Sequence, residues 1–319
     1  MAIISSDIDA AVRFLKNEEL VAIPTETVYG LAGNGFSELA VNKIFAAKKR
    51  PFFNPLILHF AQEEMLDELV SQVPEEAKEL VKYFWLGPLT LVLPKSKKVS
   101  SLVSGNLNTV AVRIPKHDVA LSLLNKLDFP LAAPSANIYG SVSPTCAKHV
   151  QTQLGDKIPY ILDGGNCQRG LESTIIGFED NKPHIYRLGA ISLEEIEKVI
   201  PHIVFKENHG KKVLAPGMLP FHYSPNAKLI LVEDVQKEMA NFKNKKIGVI
   251  TFSTNIDGIE KRYNKVLSSV RNYAEASQNL YAAMHELDEL KVDVIIAQKF
   301  PDVDLGRTIN SRLFKASNK

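Results

Sequence analysis

Leu20-Val-Ala-Ile-Pro-Thr-Glu-Thr-Val-Tyr-Gly30 sets a short apolar run against a turn of small polar residues. It reads as a strand stopped by Pro24, with a polar turn after it. Turns at the ends of strands are where open α/β sheets bind ligands. Before it, residues 5–20 place Ile8, Ala11, Val12 and Leu15 on one helical face with acidic residues interspersed, which predicts a folded helix and no signal peptide. After it, Val41, Ile44 and Phe45 predict a helix and residues 56–60 a strand. Ala77, Leu80, Val81 and Phe84 predict a helix over 74–85 with Pro74 at its start. Strands are expected at 89–93, 109–114, 131–133, 160–162 and 174–178, and Ser192 with Glu195 forms a capping box for a helix to Ile200. The alternation of helices and strands predicts an α/β fold.

Periodicity fails between about 201 and 226, where Lys206, Lys211, Lys212, three histidines and several prolines and glycines read as a linker. Beyond it, residues 228–232, 247–252 and 292–297 are β-type runs. A long helical pattern carries Val270, Tyr273, Leu280, Met284 and Leu287. A second, smaller α/β domain with a mainly parallel sheet is expected.

With 319 residues, 45% apolar and 23% charged, the chain falls outside the disordered class, and 38 Lys+Arg against 36 Asp+Glu gives +2. No uniform field therefore drives it onto nucleic acid or anionic membrane. Its longest apolar runs fall far short of the roughly 20 residues that span a bilayer. Cys146 and Cys167 have no zinc-site spacing and are read as free thiols of a cytoplasmic protein.

Five further features could carry chemistry. The turn 24–30 offers two threonine hydroxyls, a carboxylate and a phenol for a small polar pocket, or simply a capped turn. Lys48-Lys-Arg50, followed by Pro51, Asn54 and Pro55, is either a solvated cap on a helix C-terminus or a rigid mount of cations for a triphosphate. In 109–115, period two puts Thr109, Ala111 and Arg113 on one face. An Arg within an apolar strand needs an anion, either a Glu of the chain or a substrate carboxylate. Ala133-Pro-Ser135-Ala-Asn137 leads to Ser143-Pro144, read as the N-cap and N1 of a helix suited to phosphate. Asp163-Gly-Gly165, Glu172-Ser-Thr174 and Arg187-Leu-Gly-Ala190 permit close backbone approach to a ligand. Neither a Walker loop nor a Gly-x-Gly-x-x-Gly fingerprint occurs.

In this order these segments, with Gly87 to Leu93, closely resemble the threonylcarbamoyl-AMP synthases that carry a YrdC-like domain. Pro216-Gly-Met218 with His222-Tyr223-Ser-Pro225 resembles the interdomain linker of the two-domain members. Leu305-Gly306, Ile309-Asn310 and Arg312-Leu313 resemble their C-terminal domain. The resemblance implies a large twisted mixed-sheet YrdC-like domain over 1–203, a linker acting as active-site lid over 204–226, and a smaller Rossmann-like three-layer domain over 227–319.

It also implies a cytoplasmic nucleotidyltransferase that turns L-threonine, bicarbonate and ATP into threonylcarbamoyl-AMP and pyrophosphate, for modification of tRNA adenosine 37. Thr27, His59, Arg113, Ala133 and Ser173 would hold threonine, with Arg113 on its carboxylate. Lys48, Arg50, Asn54, Thr109, Ser135, Asn137, Ser143, Arg187 and Tyr223 would hold ATP, with Mg2+ on its phosphates. Expected partners are the downstream tRNA threonylcarbamoyltransferase complex and, weakly, tRNA itself, with no membrane. The chain departs from the family pattern at Leu86, where Pro is usual, and at Leu219-Pro220-Phe221, where basic residues are common. Two other readings are an RNA-binding module of the same fold without adenylating activity, and a carbamoyl-adenylate enzyme of hydrogenase maturation. Near-neutral charge disfavours the first, and the absence of zinc-finger cysteines and of an acylphosphatase segment disfavours the second.

Overall fold

The structure is a computed structural model that describes residues 1–180, 182–201, 203–205, 213–218 and 222–318. Among the described residues, eleven strands build the larger sheet: Ile3–Ser5 (β1), Val21–Ile23 (β2), Gly30–Asn34 (β3), Ile57–His59 (β4), Leu89–Pro94 (β5), Thr109–Arg113 (β6), Leu131–Ala132 (β7), Tyr160–Leu162 (β8), Thr174–Glu179 (β9), Lys182–Arg187 (β10) and Val204–Phe205 (β11). Their spatial order is β1-β8-β2-β3-β7-β4-β6-β5-β9-β10-β11. The sheet is mixed: β4 and β6 run parallel, while β6 and β5 are antiparallel. Lys228–Val232 (β12), Ile247–Thr251 (β13), Asn264–Val266 (β14) and Val294–Gln298 (β15) form a second sheet in the order β12-β15-β13-β14, parallel throughout. A large mixed α/β unit and a smaller parallel one are thus present, as the sequence predicts.

The differences are local. The helix expected over 5–20 is Ile8–Lys16: Asp7 caps Ala10 N, and Ser5 ends β1 instead. Pro74 is the N-cap of helix Glu75–Phe84. The capping box at Ser192 and Glu195 is present, but its helix ends at Glu197. Val270 lies before helix Tyr273–Glu289 and is 75% exposed. Ser143-Pro144 opens no helix: the helix is Ala147–Leu154 with Cys146 at its N-cap, and the Ser143 hydroxyl bonds Glu172 instead. Much of the linker expectation, including Lys206, Lys211, Lys212 and Leu219-Pro220-Phe221, lies outside the described residues. No described helix is long and apolar enough to cross a membrane.

The core explains where a site can form. Val110, Val112 and Ile114 of the β6 segment enter the main core with Leu58, Leu89, Leu91 and Ile176. Ala111, on the opposite face, joins Ile57, Val92, Ile175 and Tyr186, and is covered by Ala215 and Met218. One face of the sheet is therefore the core, and the other is roofed by the segment between the two units.

Candidate functional site

Register brings the first two functional side chains together. In the parallel pair of β4 and β6, Ile57 stands beside Ala111 and His59 beside Arg113. His59 and Arg113 are two residues on from the apolar pair, so pleat alternation keeps them on the roofed face. Burial, with Arg113 next to it, pushes the His59 imidazole down to about 3, so the ring is neutral at physiological pH. The ends of neighbouring strands and the turns after them surround a cavity of about 50 Å³.

All five residues expected to hold threonine line this cavity: Thr27, His59, Arg113, Ala133 and Ser173. From the group expected to hold ATP, Arg50, Ser135, Arg187 and Tyr223 line it as well. Lys48, Asn54, Thr109, Asn137 and Ser143 do not, and most of these brace the wall from behind. Lys48 Nζ donates to the carbonyls of Ser135 and Asn137 at 2.5 and 2.6 Å, and burial drives its ammonium pKa well below the ordinary lysine value. Arg50 donates to Asn54 Oδ1 at 2.6 Å. Asn137 Nδ2 donates to the carbonyls of Ile138 and Ser141, each at 2.8 Å. Ser143 Oγ donates to Glu172 Oε1 at 2.7 Å. Thr109 pairs with Pro94 at the start of β6, away from Arg113 at its end.

Charge is the most informative property of the site. Among the described residues, the buried charged side chains are Lys48, Arg50, Arg113, Arg187, Arg312, Glu26 and Glu172. All seven border the cavity or brace it, and cations outnumber carboxylates. Such an excess is unfavourable in a low-dielectric site unless an anion joins it. Arg113 is held on three sides: Nε donates to Gly87 O at 3.1 Å, Nη1 to Thr27 Oγ1 at 2.9 Å, and Nη2 lies 2.7 Å from Glu26 Oε1. That last contact is close but poorly directed, since neither Arg113 Nη2 nor Glu26 Oε1 completes a hydrogen bond. Of the two anions considered for Arg113, the chain itself supplies one, Glu26.

Arg187 reaches two segments. Nη2 donates to Ser173 Oγ at 3.0 Å and Nη1 to Pro216 O at 3.2 Å. Ser173 Oγ also shares a hydrogen bond with Thr90 Oγ1 at 2.7 Å. Burial would raise the Glu172 carboxyl, but Arg312, Arg187 and the Ser143 hydroxyl bring it down to about 2. Glu172 therefore stays ionised.

Pro216, Gly217, His222 and Tyr223 form the roof. Gly217 has φ +81°, and a Cβ there would sit 2.7 Å from the Tyr223 hydroxyl and 2.8 Å from Arg187 Cδ. Only glycine fits so near a ring and a guanidinium. His222 packs edge-on to Tyr139 and against Tyr223, with centroids 5.7 and 4.1 Å apart. The sequence points to Glu26 as a carboxylate of a small polar pocket and gives Glu172 no separate role. His222, beside Tyr223 in the linker, is an imidazole suited to covering a nucleotide, whereas Arg312 has no site role in the sequence reading. For Arg312 a signal existed: a cation within the apolar pattern Leu305, Ile309, Leu313, Ala316.

Two family models match the chain. One, for Sua5, YciO and YrdC and described as "Telomere recombination", matches residues 13–189, and the threonylcarbamoyl-AMP synthase C-terminal domain matches residues 191–318. The Pyrococcus abyssi threonylcarbamoyl-AMP synthase is 45% identical, covering 96% of this chain and 93% of its own. The Bacillus subtilis protein of that name is 40% identical, with 96% and 92% covered. Among solved structures, P. abyssi Sua5 complexed with L-threonine superposes with a TM-score of 0.91 at 44% identity, covering 98% of this chain and 94% of that one. With similarity of this depth along nearly its whole length, the chain belongs to the threonylcarbamoyl-AMP synthase family.

Proposed function

We propose that this chain converts L-threonine, bicarbonate and ATP into threonylcarbamoyl-AMP, pyrophosphate and water at the cavity under Pro216, Gly217, His222 and Tyr223. The observation that carries the reading is the excess of buried cations around one cavity, a demand for anions that a carboxylate and a triphosphate would meet. Arg113, with Thr27 and neutral His59 beside it, holds the threonine carboxylate. Ser173 completes that end. Arg50 and Arg187, fixed by Asn54 and Ser173, face the phosphates. Bicarbonate takes up a proton and loses water to give carbon dioxide, which the threonine amine captures as a carbamate with release of a proton. A carbamate oxygen then attacks the α-phosphate, forming the new P–O bond as pyrophosphate leaves with its electron pair. The residues contribute position and fixed charge, which suffices for attack on phosphate without a covalent enzyme intermediate.

Mg2+ enters with the nucleotide. Glu26 and Glu172 are each engaged by an arginine, so this pair does not form a cage for a divalent ion, and no step is assigned to the metal. The roof is read as a lid, because about 50 Å³ is well below the roughly 300–1,000 Å³ of small-molecule sites. Movement of Pro216, Gly217, His222 and Tyr223 would widen it for substrates to enter. The product has the activated form that a tRNA threonylcarbamoyltransferase would consume in the cytoplasm.

The test is direct. Protein incubated with ATP, threonine and labelled bicarbonate should release pyrophosphate and yield an adenylate carrying the label, seen by mass. ATP turnover that ignores threonine, or tRNA binding without any adenylate, would reject this reading in favour of a binding module.

A further inference from the structure

Strand β5 sends Leu89, Leu91 and Leu93 into the main core and Val92 to the opposite, roofed face. Thr90 falls on that second face by alternation and is fully buried. Valine would fill the same space with no hydroxyl to satisfy, so a threonine here needs a hydrogen-bond partner. Among the described residues its hydroxyl has one, Ser173 Oγ at 2.7 Å.

The proton count fixes the direction of this bond. A hydroxyl carries one proton and two lone pairs, and a guanidinium only donates. Ser173 Oγ accepts from Arg187 Nη2 at 3.0 Å. If Ser173 gave its proton to Thr90, the Thr90 proton would be buried with no acceptor, at the full cost of its desolvation. If Thr90 donates instead, Thr90 and Arg187 fill both lone pairs of Ser173, and the Ser173 proton is left over. The cavity, which Ser173 lines, is where that proton can find an acceptor. The bonds behind it polarise the Ser173 O–H and make it a better donor. Thr27 is the opposite case. Its Oγ1 accepts from Arg113 Nη1 at 2.9 Å, and Thr25, whose own proton goes to Val28 O, takes the Thr27 proton across 2.7 Å.

We propose that Thr90 is a positioning residue for the threonine end of the site. By filling one lone pair of Ser173 it turns that hydroxyl into a donor for an anionic oxygen of bound threonine. The inference rests on the proposed placing of threonine at Ser173 and deepens it.

The experiment measures L-threonine binding by calorimetry and pyrophosphate release, using the full-length chain as wild type, Thr90→Val, Thr90→Ser, Ser173→Ala and Thr90→Val with Ser173→Ala. Thr90→Val keeps the shape and loses the hydroxyl, whereas Thr90→Ser keeps the hydroxyl and loses a methyl group. Thr90→Val should weaken threonine binding by about threefold or more and raise KM for threonine in step, with kcat changing less than about threefold. Thr90→Ser should bind threonine more tightly than Thr90→Val. In the Ser173→Ala background the cost of Thr90→Val should fall below about 1.5-fold, the mark of coupled sites. A smaller loss in Thr90→Val, a weaker affinity in Thr90→Ser than in Thr90→Val, or a cost undiminished by Ser173→Ala would overturn the proposal. If Thr90→Val does not fold, Thr90→Cys, a poor donor of similar size, decides by the same thresholds. A wild type that does not bind threonine overturns the functional reading and this inference with it. One that binds threonine and forms adenylate while the variants stay uncoupled overturns this inference alone.

Discussion

Glu26 and Arg113 face each other across 2.7 Å, each side chain 4% exposed, and the carboxylate takes the place beside the guanidinium that a substrate carboxylate would seek. Glu26→Gln removes that charge while keeping the shape. The variant should melt lower than the wild type because a buried arginine loses its counter-ion. L-threonine should then raise its Tm by more than it raises that of the wild type. An equal or smaller shift would show that Glu26 does not compete with the substrate.

Replacing the guanidinium tests the carboxylate assignment itself. Paired with Glu26→Gln so that no lone charge is buried, Arg113→Met should weaken threonine binding by about 30-fold or more, the scale of a charge-assisted pair worth about 2–4 kcal/mol. ATP binding, measured by calorimetry, should stay within about threefold. Threonine affinity that moves less than that would remove Arg113 from the threonine end of the site.

Discrimination between threonine and serine can draw only on contact with one methyl group. A ratio of kcat/KM between about 10 and 200 is expected. A far larger ratio would require a polar device around Thr27 and Ser173 that uses the hydroxyl differently.

Acid stability should fall in two stages with separate causes. Two imidazoles share the first window: His59, and His149, which stacks on His285 with ring centroids 3.9 Å apart; burial, with Arg113 beside the one and His285 beside the other, lowers each from 6.5 to about 3. The unfolded chain therefore takes up a proton near 6.5 that the folded chain refuses until about 3, so stability drops as pH falls through that window. Glu172 adds a second loss between 4.5 and about 2, because its folded carboxyl stays ionised after the unfolded one has protonated. Tm measured from pH 7 to pH 5 should decline less steeply in His149→Phe, which keeps a stacked ring and cannot titrate. An unchanged slope would assign the acid sensitivity elsewhere.

Legibility in the sequence followed the strength of the local signal. The strands around 91, 111, 161, 230, 249 and 296 are apolar runs and read directly. Gly30–Asn34 does not, since its glycines lower strand preference, and it is a strand because β2 and β7 pair with it on both sides. Lys182–Arg187 starts with a lysine and a proline, and only Ile185, Tyr186 and Arg187 at its end are buried. The site was legible where a charge breaks an apolar pattern, as at Arg113. Arg312 breaks one too, but its partner is 140 residues away in the chain, and no short window contains both.

That same separation orders events during synthesis. The larger sheet can pair its strands once β11 has left the ribosome, yet Glu172 would then be a carboxylate without its guanidinium and the Tyr223 ring would have no plane above it. A nascent chain halted anywhere before residue 312 would carry the pocket's floor and the Arg187 contact to Pro216, but not the guanidinium that joins Glu172 to the Tyr223 ring. The pocket's lining is thus complete in the chain before the guanidinium that braces Glu172 has been made.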